Sequence, residues 1–339
     1  MDGIWILLLI VIILALFFDY TNGFHDAANA IATVVSTRVL TPKVAVILAA
    51  IFNLVGALIS VEVATTIGKG LVDPKILDIV TILSICVGAI IWNLITWYLG
   101  LPTSSSHALI GAIIGASIAH YNISVINFNN LINKVFLPSI IAPILGIFGG
   151  ILFISISYLF ASKLKPMLAN NLFRYLQIFS SSFMALSHGS NDAQKTMGLI
   201  SMALVTAKIY NEFTVPLWVK LAAALAMGLG TLVGGWRIIK TMGMKLTKLR
   251  PIDGFSAETS AATTILLASH FGMPISTTYV ITSSIMGVGM AKKINAIKWS
   301  LAFTILTAWL FTIPASAFVA FIFYKLFSLF VLPPMGIYK

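Results

Sequence analysis

Apolar residues run through this chain in stretches of about 20, the length an α-helix needs to cross a ~30 Å hydrocarbon core. Polar residues interrupt those stretches at matching places in the two halves. The pattern predicts two helical pieces, 4–20 and 24–36, broken at Thr21-Asn22-Gly23, and then a crossing over 44–67. Two arms follow, 79–99 and 104–119, meeting at Leu101-Pro102-Thr103, before a crossing over 131–160. The order then recurs as 172–186 with 193–206, a crossing over 215–241, arms at 255–271 and 275–291, and a crossing over 297–330. Pro102 and Pro274 lack an N–H and push the preceding residue out of the α region, so each marks a break. Such irregular backbone is tolerated at membrane depth only where protein or a wet cavity covers it.

The interruptions are themselves a repeat. NGFHDAANAIATVV begins at Asn22 and leads to GLPTSSSH at Gly100; SHGSNDAQKTMGLI begins at Ser187 and leads to GMPISTTY at Gly272. Each half thus sets an aspartate (Asp26 or Asp192) and a hydroxyl run (Thr103-Ser104-Ser105-Ser106 or Ser276-Thr277-Thr278) in apolar sequence. Duplicated, interrupted hydrophobic segments in corresponding positions point to a transporter's binding site. The expected fold is an all-α polytopic membrane protein of two inverted-topology repeats with broken helices and Pro-centred helical hairpins. The first repeat is 1–160, a cytoplasmic connector is 161–174, and the second repeat is 175–339.

The inversion follows if each broken first helix crosses once and each hairpin returns to its own side, because each half then crosses three times. Basic residues favour cytoplasmic loops. On this topology twelve Lys/Arg share one side, Arg38, Arg174, Arg250 and Lys292 among them, against five on the other: Lys69, Lys75, Lys134, Lys208 and Lys339. That bias places both termini outside.

Composition agrees. The 339 residues are 59% hydrophobic and 9% charged, with a mean hydropathy of +1.02; a soluble domain carries roughly a quarter charged residues. A net charge of +11 would suggest nucleic acid on a soluble chain, but here it reads as loop charge set by membrane orientation, with no nucleic-acid partner. The one cysteine, Cys86, cannot form an intrachain disulfide and reads as a packing residue. The stretch 4–18 lacks a basic leader and a small-residue cleavage site, so it reads as a retained helix rather than a signal peptide.

A charged side chain at a helix centre in a membrane costs at least ~2.5–3.5 kcal/mol, which makes Asp26 and Asp192 functional candidates. The bland alternative is that each only caps a short helix; duplication at equivalent positions argues against it. The hydroxyl runs open helices just after a break, where unpaired N–H groups and the helix dipole favour an anion. Two such tips would make a cage for a tetrahedral oxyanion. The alternatives there are capping and close packing.

Glu258 and Glu62 are acids in apolar context that either function or sit near an interface. His188 precedes the second motif, and His107 and Tyr279 occupy equivalent places behind the hydroxyl runs. Lys195 falls opposite Asn29 when the motifs are aligned, three residues past Asp192 and on its helix face. It reads either as a fixed positive charge at the second site or as a snorkelling or ion-paired lysine. No metal-ligand spacing, phosphate-cradling glycine loop or Ser–His–Asp pattern stands out, so no catalytic residue, resident metal or cofactor is expected.

At these motifs the chain resembles the inorganic phosphate transporter (PiT) family, bacterial type, in both halves, in order and over nearly its whole length. The family pattern has Asn–Asp in both motifs; here the second keeps Asn191-Asp192, while the first has His25-Asp26. The resemblance implies a membrane symporter, not an enzyme, that carries inorganic phosphate with Na+ or H+ and works as a homodimer in the plasma or inner membrane. It implies phosphate contacts from Thr103, Ser104, Ser105, Ser276, Thr277, Thr278, Asn29 and Asn191, and coupling-cation binding by Asp26 and Asp192. Glu258, His188 and Lys195 are the expected auxiliary residues. A sulfate permease of the same fold is the nearest alternative. An intramembrane aspartyl protease lacks its Gly–x–Gly–Asp signature here, and an anion channel would pass current without a cation gradient.

Overall fold

A computed structural model describes residues 2–330, so Lys339 and the rest of 175–339 beyond Phe330 lie outside the described residues. Among those residues every regular element is helical, with no strand. The first half comprises α1 (Asp2–Ser36), α2 (Pro42–Ala57), α3 (Glu62–Thr65), α4 (Ile79–Leu99), α5 (Ser105–His120), α6 (Phe128–Asn130) and α7 (Leu137–Ala161). The second comprises α8 (Pro166–Thr206), α9 (Leu217–Val233), α10 (Trp236–Lys240), α11 (Pro251–His270), α12 (Thr277–Lys292) and α13 (Trp299–Phe330). By length and composition four helices can cross a membrane, or six if each bent pair is one span.

The first helix of each half is not broken, contrary to the sequence reading. α1 runs 35 residues and α8 runs 41, straight through the Gly–x–His/Asn–Asp motifs. The motif glycines serve helix packing instead. A Cβ on Gly23 would lie 2.5 Å from the Met227 carbonyl of α9, and one on Gly189 would lie 2.1 Å from the Asn53 carbonyl of α2. A glycine inside a helix costs only about 1 kcal/mol against alanine, less than a close helix crossing returns in contact.

The bends fall in the second helix of each half, where the sequence reading has unbroken crossings at 44–67 and 215–241. α2 and the segment from Glu62 meet at 66°, and α9 and the segment from Trp236 meet at 59°. The second break is at Gly234-Gly235, with Gly234 at φ +74°.

Both Pro-centred hairpins form. α4 ends at Gly100 and α11 is followed by Gly272, at φ +67° and +65°, a left-handed conformation that costs glycine nothing. Extended residues then lead to Ser104 and Ser276, whose hydroxyls accept the His107 and Tyr279 backbone N–H groups at 3.1 and 3.2 Å. The N-caps of α5 and α12 are therefore equivalent.

Packing pairs exchange between the halves. α1 packs on α9 as α8 packs on α2; α4 lies against α1 as α11 lies against α8; α5 packs on α13 as α12 packs on α7. The hairpin bases are also tied in parallel ways. His120 Nδ1 lies 2.7 Å from the Tyr324 hydroxyl and 3.2 Å from Asp78. In the other half Asp253 is bound by Lys292 and accepts a 3.3 Å bond from the Tyr158 hydroxyl.

Large apolar side chains cover the outside of the bundle, for example Leu310, Phe318, Phe148 and Leu159, while aspartates, asparagines and hydroxyls fill the inside. That distribution suits hydrocarbon as solvent. Two pairs among the basic residues read as one side are linked: Arg174 donates to the Arg38 carbonyl, and Arg250 and Lys292 meet at Asp253. Lys69 and Lys75 line another cleft, with Asp73 and Glu212.

Candidate functional site

The two hairpin tips meet each other and the two motif helices. Ser106 Oγ of the first tip donates to the Ile275 carbonyl of the second at 3.0 Å. Ser105 Oγ donates to Asp26 Oδ2 at 2.6 Å and has Asn22 Oδ1 as a second acceptor. From the second tip, Thr278 Oγ1 lies 3.4 Å from Asp26 Oδ1 and Thr277 Oγ1 lies 3.5 Å from Asp192 Oδ2. Asn29 Nδ2 reaches across to both threonines, at 3.2 and 2.9 Å. Asp26 is thus touched by both tips, and every one of these side chains is buried.

Histidines and a lysine attend the aspartates. His25 Nδ1 lies 2.7 Å from Asp26, and its Nε2 faces Thr96 at 3.0 Å and Thr103 at 3.5 Å. His188 Nε2 lies 3.4 Å from Asp192, while its Nδ1 is 3.0 Å from Asn53 Oδ1. Lys195 Nζ forms an ion pair with Asp192 Oδ2 at 2.8 Å, both side chains fully buried. Of the two readings of Lys195, snorkelling is excluded; the lysine is an interior charge.

Five sequence candidates make no contact with the aspartates' carboxylates. Asn191 donates to Ser269 Oγ at 2.8 Å and to the Met273 carbonyl at 3.3 Å, so it braces the second tip as His25 braces the first. Glu258 is buried among Thr33, Gln177 and Ser180, which all donate to it. Glu62 is at the start of α3 and exposed. His107 and Tyr279 bond to each other at 2.9 Å behind the tips, and Tyr279 stacks on Trp309.

Linear spacing gave no hint of a metal-type cluster, but the fold makes one. Ligand atoms of Asp26, His188 and Asp192 lie within 4.8 Å of one another. Asp192 Oδ1, Asn29 Oδ1 and Asn191 Oδ1 are buried acceptors without a hydrogen-bond partner. Two fully buried acids escaped the sequence reading: Asp253 at a hairpin base, and Asp19, two turns before Asp26. The signal for Asp19 was its seven-residue spacing from Asp26, which sets both on one helix face.

A bundle that is apolar outside and holds carboxylates, hydroxyls and helix N-termini at a buried centre is a membrane transporter in design. The model of the Phosphate transporter family matches residues 22–170 and again 161–320. A Bacillus subtilis (strain 168) protein described as a "probable low-affinity inorganic phosphate transporter" is 46% identical over 332 residues, covering 97% of this chain and 99% of the relative. A Rhizobium meliloti (strain 1021) protein of the same description is 46% identical over 321 residues, with 94% and 96% covered. The solved structure of "the sodium-dependent phosphate transporter" superposes with a TM-score of 0.87 at 24% identity, over 96% of this chain and 99% of that one, and so shares the fold. This chain belongs to the phosphate transporter family. It is a multi-pass membrane transporter and not an enzyme.

Proposed function

We propose that this protein carries inorganic phosphate across the membrane in symport with a monovalent cation, Na+ or H+. The observation that carries the reading is the contact of Asp26 with hydroxyls from both hairpin tips. In this arrangement the tip hydroxyls that suit an oxyanion are held by a carboxylate. A cation on Asp26 neutralises the acid, removes its repulsion of phosphate, and releases Ser105 and Thr278 to donate to the anion. Cation binding therefore precedes anion binding, and linkage makes each raise the other's affinity.

Thr103, Ser104, Ser105, Ser276, Thr277, Thr278 and Asn29 supply the anion's donors, with Asn191 and His25 bracing the tips. Asp26 and Asp192 take the coupling cations. Lys195 is a tethered positive charge beside Asp192, and His188 steadies that acid. Glu258, held by Thr33, Gln177 and Ser180, ties α11 to α1 and α8.

The exchange of packing pairs between halves supports two inverted repeats, 1–160 and 175–339, joined at 161–174, with both termini outside. The working unit is a homodimer, which cross-linking in native membranes tests. Liposomes decide the main reading: labelled phosphate uptake is measured under a sodium gradient, a proton gradient, or neither. Uptake in one of the first two arms alone is expected. Uptake without any gradient indicates a channel, and stronger competition by sulfate than by phosphate indicates a sulfate permease.

A further inference from the structure

Asp19 is fully buried on α1, and neither of its carboxylate oxygens has a hydrogen-bond partner. Burying a carboxylate without a counter-charge is costly enough that such a group takes up a cation or a proton. The Thr196 hydroxyl and the Asn22 amide face it, and Thr196 Oγ1 and Asn22 Nδ2 also lack partners. The ionisable groups acting on it are Lys195 and Asp192 of α8. His25 and Asp26 on α1 and His188 on α8 complete the charged set of the centre. Three buried carboxylates, Asp19, Asp26 and Asp192, thus share one permanent cation, Lys195. The second half has no counterpart of Asp19: Ala185 holds that place when Asp26 is aligned with Asp192.

We propose that Asp19 is a third cation-binding carboxylate of the transport centre, satisfied in turn by the Lys195 ammonium and by a monovalent coupling cation. The inference rests on the symport reading above and adds a site to it. With Asp19 ionised and bare, Lys195 is pulled between two acids. A cation on Asp19 removes one pull, and Lys195 stays on Asp192, 2.8 Å from the oxygen that Thr277 also faces. Positive charge is then held beside the second tip, where it favours the anion. Asp19 therefore sets how many cations accompany each phosphate without touching the phosphate itself.

The test is equilibrium binding of labelled inorganic phosphate to the purified full-length protein across a range of Na+ at fixed pH, and across pH at fixed Na+. Asp19→Asn is nearly isosteric and mimics the neutralised acid. It is expected to lower the slope of log affinity against log cation concentration by about one in whichever arm carries the cation. The arm that changes identifies Na+ or H+. An unchanged slope in both arms overturns the proposal, and so does loss of phosphate binding at every cation concentration. If Asp19→Asn is not recovered folded, Lys195→Gln carries the test: its slope should rise by about one, because a mobile cation must replace the ammonium, and an unchanged slope overturns the proposal. Failure of wild-type liposomes to take up phosphate under any gradient sinks the symport reading instead, so the two failures are separable.

Discussion

Removing the Ser105 hydroxyl separates the two partners that the site holds in competition. The hydroxyl donates to Asp26 at 2.6 Å and caps no helix, since Ser104 fills that role for α5. Ser105→Ala therefore removes one charge-assisted donor with little cost to the fold. A hydrogen bond to a charged group contributes about 1.5–3 kcal/mol, so phosphate should bind roughly ten- to hundredfold more weakly at saturating cation. The cation should respond in the opposite sense. Asp26 loses a donor that competes for its lone pairs, so half-saturation by the coupling cation, measured without phosphate, should fall to a lower concentration. Both quantities come from equilibrium binding to the purified protein. Ser104→Ala and Ser276→Ala also lose an N-cap, about 1 kcal/mol of stability, so Thr277→Ala is the cleaner companion. Unchanged phosphate affinity in all four variants, at normal expression, would refute the assignment of the tips to the anion.

Asp26→Asn and Asp192→Asn should weaken or abolish cation dependence in liposome uptake more than they reduce the melting temperature; wild-type cation dependence in both would sink their role. Gly23→Ala and Gly189→Ala force a methyl group into the α9 and α2 backbones, an overpacking cost of about 1–3 kcal/mol that thermal unfolding in detergent should register, whereas neutral variants would show that the helices separate freely. Lys292→Met leaves buried Asp253 with only Arg250 and Tyr158, and because Lys292 is part exposed the loss should be about 1–3 kcal/mol rather than the full buried-pair value. No change in unfolding temperature would mean that this tie does not hold the hairpin base.

The hairpins were legible because each break pairs a proline with a glycine two residues before it: Pro102 and Pro274 disfavour helix at the residue before them, and Gly100 and Gly272 supply the left-handed turn. The motif helices were misread for the converse reason. Gly23 and Gly189 have no local effect strong enough to stop a helix, and their purpose is a carbonyl from a helix some 200 and 136 residues away in sequence. The bends after Ala57 and Val233 lacked a proline to announce them. In the site, charge in apolar sequence marked Asp26, Asp192 and Lys195, since that signal needs no fold. Asp19 was hidden at the polar edge of an apolar run, where it looked like an ordinary helix end, and only three-dimensional burial exposes it. Asn191 and His25 occupy aligned positions, yet sequence could not say that each braces a tip rather than points at the anion.

The departures from symmetry carry as much information as the symmetry. Scaffold contacts recur in both halves: the glycine crossings, the capped tips and the hairpin ties. Such recurrence fits the proposed inverted repeats. The charges do not recur. Lys195 stands where the first half has Asn29, Asp19 where the second half has Ala185, and His25 where it has Asn191. A fully symmetric pair of acids would bind two equivalent cations and impose no order on them. The tethered ammonium makes the acids unequal: Lys195 is paired directly with Asp192, while Asp26 has His25 and the tip hydroxyls as its direct partners and His188 and Asp192 close by. On the proposed symport, Asp26 is the acid to fill first, and its filling is what would release the donors of both tips. On that proposal, the asymmetry of charge ties the first cation to the preparation of the anion site, which a symmetric scaffold alone cannot do.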